Sequence, residues 1–170
     1  MSKLVAGTVG LALAMATGAH AAVLGSDAAA CASEGPAVLV RVEGLKMRSG
    51  SLRVQAYGGN PNRYFEKGSW LRRVDVAVPP SGPVNICVAV PAEGTYAISV
   101  RHDVDNSGRT NAKDGGGMSG NPKLSLFDVM FKRKPDPRQV QIVVNGVTRV
   151  PIVMNYVHGA SFGPVAMAAR

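Results

Sequence analysis

Val84-Asn85-Ile86-Cys87-Val88-Ala89-Val90-Pro91-Ala92-Glu93-Gly94-Thr95-Tyr96-Ala97-Ile98-Ser99-Val100-Arg101 is the stretch that decides the fold. Its first seven residues are apolar on both faces, as a strand covered on both sides requires. Pro91 to Gly94 form a turn. Tyr96, Ile98 and Val100 then alternate with Thr95, Ser99 and Arg101, the period of a half-buried strand. The same period extends in both directions. Upstream, Val38, Val40 and Val42 alternate with Arg41 and Glu43, and Leu52, Val54 and Ala56 with Arg53 and Gln55. Val74, Val76 and Val78 form a third alternation, stopped by Pro79-Pro80. Downstream, Ser125 to Phe131 and Val140 to Val144 read as strands, and Asn145-Gly146 is a hairpin signal leading into Thr148 to Asn155.

Between these runs lie a long connection from Gly58 to Ser69 and a Gly-rich loop from His102 to Pro122. No helical period of useful length interrupts the pattern. The expected fold is all-β: one antiparallel Greek-key β-sandwich of about seven to eight strands over residues 37–157. A small β-barrel is the alternative. With 170 residues and 46% of them apolar, the chain suits one packed core and excludes wholesale disorder.

Residues 1–21 combine an early Lys3, an apolar run from Leu4 to Met15 and the ending Ala19-His20-Ala21. This is the pattern of a cleaved signal peptide, and it places the protein in the periplasm or outside the cell. No later run approaches the length of a transmembrane helix, so no membrane span is expected after cleavage. Residues 22–36 read as a flexible leader and 158–170 as a flexible tail. Cys31 and Cys87 are the two cysteines, and in an oxidising compartment a disulfide is the leading expectation. Two free thiols are the alternative.

Asp103, Asp105, Ser107, Arg109 (through its carbonyl), Asn111 and Asp114 place oxygen donors at loop positions 1, 3, 5, 7, 9 and 12, with Gly108 at position 6. Hard cations such as calcium take six to eight oxygens from such spacings, and glycine permits the bend. The competing reading is a solvated loop in which Asp, Asn, Ser and Gly act as turn formers. His102 shares the inward parity of Ile98 and Val100, as a buried or rim histidine would. Beside Asp103 it is also the one candidate base for a hydrolase-type reaction.

The net charge of +8 is clustered in residues 41–73 and at Lys132-Arg133-Lys134. For an exported chain this favours an anionic envelope polymer, lipid head groups or another envelope protein over nucleic acid. Charges on outward strand positions of a soluble surface are the simpler reading. Tyr57, Tyr64, Phe65 and Trp70 surround the Gly58–Ser69 connection, either stacking sugars or packing over one end of the sandwich.

Gly44-Leu45, Gly50 to Tyr57, Gly94 to Gly108 and Ser125 to Phe131 together resemble the bacterial family catalogued as domain of unknown function 2141. The resemblance spans roughly residues 36–157, and the block from His102 to Gly108 is its most specific part. It implies a small exported protein and assigns no reaction. Asp105 and Ser107 stand where the family usually has Asn, Asn111 where it has Asp, and its following Pro-x-Glu-Gly turn is replaced by Gly115 to Gly120. Residues Pro91 to Val100 are also similar to a strand of prealbumin-like sandwich modules. These readings point to a non-enzymatic binding or envelope-interaction module with a calcium-binding loop. A hydrolase using His102 and Asp103, or a purely structural envelope protein, is the alternative.

Overall fold

The computed structural model describes residues 22–165; the expected signal peptide, residues 1–21, lies outside them. In chain order the elements are β1 (Val23–Leu24), a 3-10 turn (Ala28–Ala32), β2 (Ala37–Glu43), β3 (Ser51–Gly58), a second 3-10 turn (Pro61–Arg63), β4 (Arg72–Ala77), β5 (Val84–Ala89) and β6 (Gly94–Asp103). There follow β7 (Gly115–Met118), α1 (Leu126–Met130), α2 (Pro137–Val140), β8 (Gln141–Val144), β9 (Val147–Val153), β10 (Asn155–His158) and β11 (Ser161–Pro164).

The strands form two sheets, β1-β5-β2-β9 and β11-β10-β7-β6-β3-β4, with β8 paired to the first half of β6. This is a β-sandwich without barrel closure. Most neighbours are antiparallel; β1–β5 and β2–β9 are parallel, a pairing that alternation does not reveal. The core lies between the layers. Val38, Val40, Ile86, Val88 and Ile152 of the smaller sheet face Leu52, Val54, Ile98, Val100 and Tyr156 of the larger one. Val38, Val40, Leu52, Val54, Ile98 and Val100 are among the alternating positions that the sequence pattern marks as inward.

Several segments depart from the expectation. The leader is structured: Val23–Leu24 pair with Asn85–Ile86, and the Cys31–Cys87 disulfide holds the 3-10 turn against the outer face of β5. This cover explains why Val84–Val90 is apolar on both faces. Asp27, only 6% exposed, accepts hydrogen bonds from Ala89 N (3.0 Å) and Arg72 Nε (2.7 Å), so one carboxylate ties β5 to β4 in the other sheet. The Arg72 guanidinium, opposed by burial and helped by the Ala89 N–H, holds Asp27 below its ordinary pKa of 3.8. At the other end, Ser161–Pro164 of the expected tail form a hairpin with Asn155–His158.

Ser125 to Phe131 is a capped helix and not a strand. Ser125 Oγ accepts from Asp128 N (3.2 Å) while Asp128 Oδ2 accepts from Ser125 N (2.9 Å), a reciprocal capping box. Asn145-Gly146 does not close a two-stranded hairpin: β8 joins the larger sheet and β9 the smaller, so the turn crosses between layers. Gly115–Met118, inside the expected Gly-rich loop, is a strand paired to Ser99–His102.

Candidate binding site

At the end of β6 the inward parity of His102 is borne out. The ring is fully buried, with Nδ1 2.7 Å from Tyr156 Oη and Nε2 2.8 Å from the Ser49 carbonyl. A carbonyl only accepts, so Nε2 carries a proton and Nδ1 takes the bond from the Tyr156 hydroxyl. Burial raises the Tyr156 pKa and keeps that hydroxyl a donor. Both ring nitrogens are therefore committed to structure. The side chain locks the Ser49 turn to the sheet and has no face turned to a substrate.

Asp103 points the other way and organises the loop. Its Oδ1 accepts from Ser107 N (3.0 Å) and its Oδ2 from Gly108 N (2.9 Å), a turn that needs the positive φ of Asn106 and Gly108. Asp114 closes the far end, accepting from Val104 N (3.2 Å) and Asn111 N (3.1 Å). Asp105 receives Ser107 N (3.2 Å) and Asn111 Nδ2 (3.2 Å), and Ser107 Oγ donates to the Arg109 carbonyl (3.1 Å). The bonds from Ser107 hold the Asp105 carboxyl below its ordinary pKa.

Asp103, Asp105 and Asp114 thus converge, each offering an oxygen within 4.8 Å of the others. Sequence reasoning missed Arg101, whose guanidinium contacts both Asp103 (3.1 Å) and Asp114 (3.4 Å). The signal was available, because residues 101 and 103 share one face of the strand. One guanidinium lies against the three carboxylates, and Arg109 and Lys113 elsewhere in the loop have no ion pair among the described residues.

Beside this loop, on the outer face of the larger sheet, residues 119–140 arch over the strands. Both ends of the arch are clamped by Ser119, which accepts from Ile98 N through Oγ (2.9 Å), donates its N–H to Ile98 O (2.9 Å) and donates its hydroxyl to Val140 O. Asn121 adds bonds to Val153 N (2.8 Å) and Pro151 O (3.2 Å). Tyr57, Tyr64, Ala97 and Val140 are buried under one end, with Phe65 and Met118 against them. Three of the four aromatics singled out in the sequence are thus packing residues, and Trp70 stays 40% exposed.

Under the other end is a cleft of about 460 Å³. Its floor is β7. A side chain on Gly115 would run into the Tyr156 ring (Cζ 2.6 Å from the Cβ position), and one on Gly117 into Ile152 (2.6 Å) and the Val153 carbonyl (2.8 Å). The core therefore dictates those two glycines. Gly116 faces outward, and a Cβ there would meet nothing nearer than Val100 O at 4.0 Å. Its bare backbone leaves the floor open. Met118, Val129, Val157 and Phe162 supply apolar walls; Arg101, Asn111 and Asp114 join the cleft to the acidic loop, and Lys132, Arg133 and Lys134 stand at its rim.

Part of the basic excess elsewhere is paired. Arg41, Arg53, Arg63, Arg72 and Arg73 pair with carboxylates, Arg53 and Arg73 sharing Asp75, whereas Lys132 and Arg133, like Lys46, Arg48, Lys67, Arg109, Lys113, Lys123 and Arg149, have no ion pair among the described residues.

The family model described as "Uncharacterized protein conserved in bacteria (DUF2141)" matches residues 40–150, well over half of the chain. The chain belongs to this family. The matched region runs from β2 to β9 and includes the acidic loop, the glycine strand and the arch. No curated protein and no solved structure matches the chain.

Proposed function

We propose that this DUF2141 protein is an exported, non-catalytic binding module of the cell envelope, and that its glycine-floored cleft takes a small ligand with an apolar body and an anionic end. The observation that carries this reading is Gly116, where a missing side chain opens a space that the core does not need. Apolar walls with a few charged groups at one end are the usual composition of a small-molecule site, and the volume lies in the usual range. Lys132 and Arg133 set the sign of the ligand's charge. The signal-peptide pattern of residues 1–21 and the Cys31–Cys87 bridge support the address. The burial of His102, with both nitrogens engaged, speaks against the hydrolase alternative.

The test is displacement of the anionic dye anilinonaphthalene sulfonate by laurate, using residues 22–170. That segment holds both sheets, both cysteines and the whole described core. Gly116→Leu fills the floor and weakens laurate binding by about tenfold or more, ~1.4 kcal/mol. Unchanged affinity in a folded Gly116→Leu variant refutes the cleft as the site.

The convergence of Asp103, Asp105 and Asp114 favours a second reading, in which the loop holds calcium with Ser107, Asn111 and the Arg109 carbonyl completing the shell. Asp103 Oδ1 and Asp114 Oδ1 each accept a single backbone bond and retain a lone pair, and Arg101 offsets only one of the three charges. A cation bound only by the folded chain adds about 2.7 kcal/mol at a hundredfold excess over Kd. The melting temperature then rises by about 5–11 °C in calcium over chelator, and Asp105→Asn removes the rise. Equal melts with and without millimolar calcium exclude the metal.

A further inference from the structure

We propose that α1 and the residues that follow it form a knob that docks this protein on an anionic lipid bilayer. Phe127, Met130 and Phe131 are 67%, 65% and 65% exposed, an unusual outlay of large apolar surface on a five-residue helix and the residue that caps it. Phe127 and Phe131 stack with ring centroids 6.2 Å apart and planes 6° from parallel, so they present a single apolar face. Helix propensity does not hold this face outward. The capping box at Ser125–Asp128 and the bonds of Lys132 N to Val129 O (3.2 Å) and Arg133 N to Asp128 O (2.8 Å) fix both ends of the turn. Lys132 takes a left-handed φ of 52°, which stops the helix and starts the cationic triplet beside the apolar face.

The partner follows from shape and charge. A protein interface of ordinary strength needs roughly 800 Å² from each side, and a convex single turn offers far less. A bilayer yields to a protrusion: phenylalanine and methionine side chains enter the boundary between head groups and acyl chains while lysine and arginine stay at the phosphates. Lys132 and Arg133 are free of ion pairs among the described residues, and Lys134 is shared with Glu66 (2.8 Å), so the charge complement is anionic. Lys132 and Arg133 also line the cleft, whereas Phe127, Met130 and Phe131 do not, so the phenylalanine variants separate this inference from a ligand in the cleft.

The experiment is sedimentation of residues 22–170 with vesicles of phosphatidylglycerol and phosphatidylcholine in equal parts, and with phosphatidylcholine alone. The protein binds the anionic vesicles, and added salt weakens binding. Each of Phe127→Ser and Phe131→Ser lowers partitioning by about tenfold. Lys132→Glu with Arg133→Glu lowers it by more than about fivefold per site. All four side chains are exposed, so unchanged melting temperatures accompany these losses. Binding that is absent in the wild type, equal on both vesicle types, or unaltered in the phenylalanine variants overturns the proposal. Gly116→Leu leaves vesicle binding intact; loss of sedimentation in that variant alone means that the cleft extracts a lipid and that the knob is not the anchor. Failure of dye displacement with vesicle binding retained rejects only the cleft.

Discussion

Adding one methyl group to each of two adjacent glycines has opposite consequences in this fold. In Gly115→Ala the new Cβ stands 2.6 Å from Cζ of Tyr156, about 1 Å inside normal carbon contact, so the ring must move back. Tyr156 is fully buried and bonded to His102, so the ring cannot move without loosening that bond. Overpacking costs about 1–3 kcal/mol and the weakened hydrogen bond about 1 kcal/mol more. At about 2–4 °C per kcal/mol for a chain of this size, the melting temperature falls by about 5–15 °C. In Gly116→Ala the Cβ enters the cleft, 4.0 Å from the nearest atom. The φ there is not left-handed, so removing glycine's freedom from the unfolded chain stabilises by about 0.4–1 kcal/mol. Calorimetry of both variants, with circular dichroism to verify the fold, makes the comparison. A Gly116→Ala variant as unstable as Gly115→Ala refutes the assignment of the two faces and removes the floor of the cleft.

Other consequences follow from the termini and the loop. Asp27 has a lowered pKa in the folded state, so its contribution is complete above the unfolded value of about 3.8 and is lost as pH falls through the lower folded value. Asp27→Asn should therefore flatten the acid limb of a stability-against-pH curve measured by urea unfolding below pH 4; an unchanged acid limb contradicts the tie. Reducing the Cys31–Cys87 bridge, which spans a sequence separation of 56, should cost about 4 kcal/mol on the chain-entropy model. Denaturant midpoints with and without reductant measure it, and equal midpoints reject a stabilising bridge. His102→Ala removes a buried ring and the acceptor of the Tyr156 hydroxyl, a loss of about 3 kcal/mol by thermal melt. His102→Gln, keeping an acceptor and a donor, should recover part of it; no recovery would point to a role other than bridging Tyr156 and Ser49.

The strands were legible wherever one face met the core. Val38-Val40-Val42, Leu52-Val54-Ala56 and Tyr96-Ile98-Val100 alternate because burial selects every second residue, and the same parity placed His102 inside. The glycine strand was hidden because its buried positions, Gly115 and Gly117, are the smallest residues available, chosen by the bulk of Tyr156 and Ile152 opposite. Ser125-x-x-Asp128 carried a helix signal, but five residues are too few for periodicity to separate helix from strand. The order of residues 22–36 depends on Asp27 meeting Arg72 and Ala89, contacts 45 and 62 residues away, which no local pattern reveals. The acidic loop was visible as a spacing, while the cleft has no motif. It arises from two clamped ends of an arch and one absent side chain.

The proposed ligand site is tested most directly by nuclear magnetic resonance of residues 22–170, following backbone amide shifts as laurate is added. Saturable shifts centred on Gly116, Met118, Val157 and Phe162, with Val40, Val88 and Ile152 of the opposite sheet unmoved, are the predicted result. Shifts that never saturate, or that gather on Phe127 and Phe131 while Gly116 stays still, contradict it.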